Sequence, residues 1–200
     1  MDHFEVFGLE RKLGIDAGAL QRRFYELSRQ HHPDFHQAAP AGEQAQVLEA
    51  SARVNAAYRT LRDPIARVGY LLRLEAHGEG AADPAETESG KTPAPPDLLA
   101  EMFEIQEALH DARMGGLDDA TRATLVEQRD ALIARRAAEE ARITGPLSEA
   151  WDRATPDGRA ALVVTLKEAL ARRAYFRTVI DDLTEALEGS GEGHVAHHRH

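Results

Sequence analysis

Cysteine is absent from this chain of 200 residues, and no long apolar run is present. Without cysteine the chain has no disulfide framework, no thiolate nucleophile and no cysteine-ligated zinc or iron–sulfur site of its own. No apolar stretch approaches the roughly 20 residues that a membrane-spanning helix needs. Nothing near the N-terminus resembles a signal peptide. We therefore expect a cytoplasmic protein with no membrane partner.

Basic side chains are scarce relative to acidic ones. The chain has 24 Lys and Arg against 34 Asp and Glu, which gives a formal net charge of −10. An acidic chain disfavours sequence-independent nucleic-acid binding, because that binding relies on basic side chains at the phosphates. Residues 1–76 hold ten residues of each sign, so the acidic excess lies in residues 77–200. This asymmetry indicates two parts with different partners.

A stretch of small and polar residues separates the two parts. From Gly78 to Pro96 the sequence has no large apolar residue, so burial cannot offset the entropy lost on ordering. We predict a flexible linker over 77–96 and a disordered, histidine-rich tail over 189–200. The segments 1–76 and 97–188 have helical periodicity without long β-branched alternation, which predicts an all-α protein.

The first part is predicted to contain two antiparallel helices with a smaller helix at each end. Asp16 is a candidate N-cap for a helix from about Ala17 to His31, which Pro33 ends. A second long helix is predicted from about Gly42 to Leu61. Asp63-Pro64 then supplies a cap and a first-turn proline for a short third helix.

The second part is predicted to be a three-helix bundle. Its helices run from Asp97 to Gly115-Gly116, from about Asp118 to Ile143, and from Thr155-Pro156 to about Leu187. The sequence Thr144-Gly145-Pro146 is expected to break the chain between the last two. Short connections favour an antiparallel arrangement of the three helices.

The first bundle helix has two apolar faces. Its core stripe follows helical spacing and consists of Leu98, Met102, Ile105 and Leu109. Leu99 and Phe103 form a second apolar pair, rotated by about 100° from that stripe. This pair is either part of a wide core face or an exposed patch. The last helix repeats the pattern, with Tyr175 and Val179 beside its own stripe.

The triplet His32-Pro33-Asp34 lies in the loop of the predicted hairpin. One interpretation is a helix stop, in which Pro33 ends the helix and Asp34 accepts backbone N–H groups in the turn. That interpretation requires nothing of His32. The family resemblance given below implies a binding loop instead, in which Pro33 fixes the backbone and Asp34 forms a charge-assisted hydrogen bond with a partner.

Arginines lie along the helix that precedes the triplet. They are Arg22, Arg23 and Arg29. In one interpretation they form a solvated face, with Arg22 and Arg29 each paired to Glu26. The family resemblance given next implies that they supply positive charge toward an acidic partner, and both roles are compatible.

With this hairpin and loop the chain resembles the J-domain family of co-chaperones, whose defining feature is a His-Pro-Asp loop between two antiparallel helices. The resemblance implies a J-domain over 1–76 that docks on a DnaK-class ATPase and stimulates its ATP hydrolysis. The chaperone-binding residues that it implies are His32, Pro33, Asp34, Arg22, Arg23 and Arg29. Because the catalytic groups then belong to the partner, we do not expect the chain to be an enzyme.

Within that family the chain is more similar to the HscB branch, which serves iron–sulfur cluster biogenesis and carries a three-helix bundle after its J-domain. The matching stretches are MDHFEVFGLE, RRFYELSRQHHPDF, SARVNAAYRTLRDPIARVGYLLRLEAHG and LLAEMFEIQEAL. The resemblance implies an HscA-like chaperone and an IscU-like scaffold protein as partners, and no cofactor. The scaffold-binding residues that it implies are Leu99, Ala100, Phe103, Glu104, Glu107 and Tyr175. Ala100 is smaller than the apolar residue expected, which predicts a shallower patch.

Other functions remain open at the level of sequence. The chain is alternatively a generic J-domain adaptor for another client, or a non-chaperone helical adaptor whose tail binds metal. The tail histidines are His194, His197, His198 and His200. A solvated tail that holds no metal is the simpler interpretation. No carboxylate pair, activated nucleophile or glycine-rich phosphate loop stands out, which disfavours an enzyme.

Overall fold

The computed structural model of the protein describes residues 1–77, 96–115 and 118–189. All regular secondary structure in these ranges is helical and none of it is strand, which confirms the predicted all-α class. The predicted linker and tail lie outside the described residues, apart from the residues at their borders.

Contacts divide the chain into two compact units. Among the described residues, the first unit contains 1–77 together with 144–166. The second contains 96–115, 118–143 and 167–189. The domain boundaries at residues 76 and 97, which the composition indicates, stay a prediction. In the structure, residues 144–166 pack with the N-terminal unit.

Aspartate caps begin three of the four helices in the N-terminal part of the first unit. The Asp2 carboxylate accepts the Glu5 N–H at 2.9 Å, and the Asp16 carboxylate accepts the Ala19 N–H at 2.6 Å. Asp63 accepts the N–H groups of the next helix in the same way. Each cap satisfies backbone donors that have no partner within the helix. The helices are α1 (His3–Phe7), α2 (Ala17–Gln30), α3 (Ala41–Arg62) and α4 (Pro64–His77).

Helices α2 and α3 form the predicted hairpin. Leu20 and Leu27 of α2 are buried, and the Phe24 ring stacks on the Tyr58 ring of α3 with centroids 4.0 Å apart. Helix α1 packs on α3 and buries Phe4 completely. The apolar spacing of α2 therefore faces the core, while its opposite face is left to solvent.

The predicted break at Thr144-Gly145-Pro146 is wrong. A single π-helical turn, Ile143–Leu147, follows α6 (Asp119–Arg142) and leads directly into the short helix α7 (Ser148–Arg153). A π-turn places an extra residue in the helical ring, and Pro146 has no N–H to donate. The chain therefore absorbs the proline as a bulge and remains helical.

Helix α7 fastens the loop that joins α1 to α2. The Asp152 carboxylate accepts the N–H groups of Leu13 and Gly14, each at 2.7 Å. The buried Arg67 guanidinium donates to the carbonyl oxygens of Leu13 and Leu61. Burial lowers the pKa of Arg67, while the charges of Asp63 and Asp152 oppose that change. The loop is thus held from both sides within the first unit.

Three antiparallel helical segments form the second unit: α5 (Leu99–Gly115), α6, and the part of α8 (Pro156–Gly189) from residue 167 onward. Glu101 near the start of α5 pairs with Arg135 late in α6. Arg122 near the start of α6 donates to the Leu187 carbonyl near the end of α8. The core is lined by the predicted stripe of α5 together with Leu125, Leu132, Leu183 and others. The Asp97 side chain and Gly116, predicted as a cap and a stop for α5, lie outside the described residues.

Candidate functional site

The His32-Pro33-Asp34 triplet lies between α2 and α3, where a short 3-10 turn, Pro33–His36, begins. His32 is the N-cap of this turn and has extended backbone angles (φ −76°, ψ 126°), as expected for the residue before a proline. Pro33 occupies the first position of the turn, where its missing N–H costs no hydrogen bond. All three residues are exposed.

The His32 imidazole is oriented by two neighbours in the same turn. Its Nδ1 accepts the Asp34 backbone N–H at 3.2 Å. The Phe35 ring meets it edge-on, with centroids 5.7 Å apart. An accepting Nδ1 leaves the proton of the neutral ring on Nε2. The ring therefore presents a donor to an approaching partner, while 52% of the side chain stays exposed.

The Asp34 carboxylate faces solvent. Its side chain is 71% exposed, and one carboxylate oxygen lies 3.6 Å from His32 Nδ1. This nitrogen accepts the Asp34 N–H and therefore has no proton to donate to the carboxylate. The helix-stop interpretation assigned the capping role to Asp34, and this assignment is wrong, because the acceptor in the turn is His32. The Asp34 oxygens thus keep most of their capacity for an external donor.

The arginines of α2 differ in their partners. Arg23 Nη1 lies 3.0 Å from Glu26 Oε2, so the expected pairing of Glu26 with Arg22 and Arg29 is wrong. Among the described residues neither Arg22 nor Arg29 has a carboxylate partner, and both are exposed. Their guanidinium groups are therefore available to an acidic surface.

Tyr25 is a candidate that the sequence reasoning missed. It is 62% exposed and lies between Arg22 and Arg29 along α2. The spacing of Arg22, Tyr25 and Arg29 places all three within one stripe of a helix of 3.6 residues per turn. That spacing was the available signal, because Tyr25 lies outside the core stripe of α2. We call these three residues the α2 stripe.

A hollow lies beside the turn on the α3 side. It encloses about 210 Å³ and is lined by Pro33, Asp34, His36, Gln37, Gln44 and Leu48. Leu48 is 56% exposed, and Phe35 on the turn is 68% exposed. Neither apolar side chain was singled out from the sequence. Both add apolar surface next to the exposed carboxylate of Asp34.

A second candidate surface lies on α5. Phe103 is 68% exposed and Leu99 is 41% exposed, so a wide core face is wrong and this pair forms a surface patch. Ala100, Glu104 and Glu107 are exposed as well. An apolar pair flanked by carboxylates suits a partner with apolar side chains ringed by basic ones. We call these five residues the α5 patch.

Tyr175 does not belong to the exposed part of that surface. It is 4% exposed and Val179 is 3% exposed, and both lie in the core cluster. The expectation that they lie beside the core stripe of α8 is therefore wrong. Helix α8 packs against both α5 and α6 and so buries a face wider than one stripe. Burial raises the pKa of Tyr175, and the neighbouring charge of Glu101 raises it further.

Neither a metal site nor a membrane span is present in the ranges that the structure describes. No group of three His, Cys, Asp or Glu side chains is placed to hold a metal ion there. No helix in those ranges is both long and apolar enough to cross a bilayer. The tail histidines, which were considered as metal ligands, lie outside the described residues.

Comparison with known proteins finds relatives that share one name. The chain is 39% identical over 127 residues to "Co-chaperone protein HscB homolog" from Bordetella avium (strain 197N), covering 64% of this chain and 70% of the relative. It superposes on the chaperone HscB from Vibrio cholerae with a TM-score of 0.59 and 20% identity, covering 94% and 99% of the two chains, which bears on the fold alone. The human co-chaperone HscB gives a TM-score of 0.60 and 26% identity, covering 92% of this chain and 81% of the human one. No protein-family model matches the chain.

Proposed function

Because the chain belongs to the HscB family of co-chaperones, we propose that it stimulates ATP hydrolysis by an HscA-like chaperone of the DnaK class and delivers an IscU-like scaffold protein to it. The observation that carries the proposal is the exposed His32-Pro33-Asp34 turn at the tip of the hairpin. In this scheme the partner hydrolyses ATP and the iron–sulfur cluster is the cargo of the scaffold. The chain itself therefore needs no cofactor.

Docking on the chaperone is proposed to use the turn and the basic residues of α2. Asp34 offers an exposed carboxylate to a guanidinium of the chaperone, and such a charge-assisted pair is stronger than a neutral hydrogen bond. Pro33 restricts the backbone, so less freedom is lost when the turn binds. Arg22 and Arg29 attract an acidic face, with Arg23 beside them held by Glu26.

Delivery of the scaffold is proposed to use the α5 patch. Phe103 is the anchor, because a large exposed aromatic side chain is the kind of residue that dominates binding energy at interfaces. Leu99 extends the apolar area, and Glu104 and Glu107 meet basic side chains at its rim. Tyr175 contributes only from beneath, since its side chain is covered by the bundle.

Steady-state ATP hydrolysis by a purified HscA-like chaperone tests the docking site. We expect addition of the chain to accelerate hydrolysis and His32→Gln to abolish most of that stimulation, because the variant removes the ring that caps the turn. His31→Gln is the matched control, since His31 is the adjacent histidine and lies outside the exposed triplet. Full stimulation by His32→Gln would contradict the proposal.

Titration calorimetry with a purified IscU-like scaffold tests the α5 patch. We expect Phe103→Ala to weaken binding by about 2 kcal/mol, which is the typical loss at an interface hot spot and corresponds to roughly thirtyfold in Kd. Ile133→Ala is the control, because Ile133 is a partly exposed apolar residue on α6 of the same unit. Circular dichroism checks that both variants keep their helicity. An unchanged Kd for Phe103→Ala would exclude this surface.

A further inference from the structure

The side chain of His36 connects the end of α2 to the beginning of α3 behind the exposed triplet. Its Nε2–H donates to the carbonyl oxygen of Gln30, the last residue of α2, at 3.1 Å. Its Nδ1 lies 3.8 Å from Glu43 Oε1 in the first turn of α3. Only 29% of the His36 side chain is exposed, against 71% for Asp34. One side chain thus joins both helices on the covered side of the turn.

Gln44 makes a second connection from α3 to the same loop. Its Nε2 group donates to the carbonyl oxygens of Gln37 at 3.0 Å and Ala39 at 2.9 Å. The last carbonyls of a helix and those of an irregular loop have no partner within a helix. Gln44 and His36 supply donors to three such carbonyls, and neither residue belongs to the exposed triplet.

We infer that His36 is a positioning residue that holds the His32-Pro33-Asp34 turn in the conformation that docks on the chaperone, an inference that rests on the proposed function. Without the bond to Gln30, the turn samples other conformations in the free protein. The apparent affinity then falls in proportion to the fraction of competent turn. The saturated complex still contains the same three exposed residues, so the maximal rate of stimulated hydrolysis does not change.

The first test measures how the rate of the chaperone ATPase depends on the concentration of the chain. For His36→Ala we expect the half-saturating concentration to rise about threefold to tenfold, as for the loss of one hydrogen bond, at an unchanged maximal rate. His36→Gln keeps a side-chain N–H donor and is expected to restore the wild-type value to within about twofold. His31→Ala is the control. A lower maximal rate at unchanged half-saturation would overturn the inference.

The second test needs no chaperone. Amide order parameters of residues 34–37 are measured by nitrogen-15 relaxation in the free full-length chain. We expect them to fall from about 0.85 toward 0.6 in His36→Ala and to recover in His36→Gln. Unchanged order parameters would overturn the inference even if stimulation weakens, because His36 would then contact the chaperone directly. If the wild-type chain stimulates no ATPase, the proposed function fails while the order parameters still decide the positioning role. Gln44→Ala serves as a second variant should His36→Ala lose its fold.

Discussion

Replacement of Asp152 by alanine is expected to destabilise the first unit by about 2 to 4 kcal/mol. The Asp152 carboxylate accepts two backbone N–H groups, those of Leu13 and Gly14, at 2.7 Å each. A hydrogen bond to a charged group contributes roughly 1.5 to 3 kcal/mol. In the variant the partly buried Leu13 N–H has no acceptor to replace the carboxylate, so most of its contribution is lost. The exposed Gly14 N–H can instead donate to water. The sum is therefore about 2 to 4 kcal/mol rather than twice the full value.

A double-mutant cycle with Gly14 separates this contact from other effects of the substitution. A Cβ atom at Gly14 would lie 2.9 Å from Asp152 Oδ2, so Gly14→Ala forces the carboxylate away from both N–H groups. We expect Gly14→Ala to cost about 1 to 3 kcal/mol in the wild-type background, as overpacking does. In the Asp152→Ala background the clash is absent, and the cost should nearly vanish. The difference between the two is the coupling energy.

Trp151 provides the assay, because it is the one tryptophan of the chain, is fully buried, and precedes Asp152 directly in the same helix. Urea unfolding followed by its fluorescence reports on the first unit, and the slope of the transition checks that the variants unfold the same surface. Glu149→Gln is the matched control on α7, since Glu149 makes only an exposed ion pair with Arg153. The reasoning is refuted if Asp152→Ala has the same free energy of unfolding as the control variant. It is also refuted if Gly14→Ala lowers the free energy of unfolding by the same amount in both backgrounds.

Three further predictions concern the tyrosine hydroxyls and the α2 stripe. The Tyr175 hydroxyl is buried and has no hydrogen-bond partner among the described residues. Tyr175→Phe should therefore raise the free energy of unfolding of the second unit by up to about 1 kcal/mol, measured by urea unfolding at neutral pH. A lower free energy of unfolding would show that the hydroxyl has a hydrogen-bond partner. Burial raises the pKa values of Tyr70 and Tyr175 in the folded state. The stability that depends on their neutral hydroxyls is therefore fully present below the unfolded-state pKa of about 10, and it is lost as the pH rises through the folded-state pKa values. The Tm should therefore fall above about pH 10, less steeply in Tyr175→Phe, and parallel Tm curves for variant and wild type would contradict this. For the α2 stripe, the double variant Arg22→Gln/Arg29→Gln should raise the half-saturating concentration for ATPase stimulation and make that concentration less dependent on salt. The control variant Arg129→Gln on α6 should change neither quantity. An unaltered salt dependence in the double variant would indicate that these arginines form only a solvated face.

Local signals predicted the helices and the turn. Asp16, Asp63 and Asp118 each accept a backbone N–H from a residue at most three positions away. These caps are therefore predictable from residues that are close in the sequence. Pro33 disfavours helical backbone angles at His32, which is a local effect, so the triplet was predictable at its position. The apolar spacing of α5 likewise predicted which of its residues form the core stripe.

The side from which a helix is covered was not predictable in this way. Leu99 and Phe103 have the same apolar character as the residues of the core stripe, yet they are exposed. Tyr175 and Val179 were predicted to lie beside the core stripe of α8, yet both are buried in the cluster where α5, α6 and α8 meet. A single sequence gives the period of a helix but not the directions from which its neighbours pack, and those directions set the width of the buried face.

The amino-acid sequence by itself determined the helical class, the caps and the location of the His32-Pro33-Asp34 turn, because each depends on residues a few positions apart. Only the tertiary structure decided that His36 joins α2 to α3 and that Asp152 binds the loop at Leu13. The last contact spans 139 positions. Such contacts exist only after the core has brought distant segments together, since the free energy that aligns them comes from burial elsewhere in the unit.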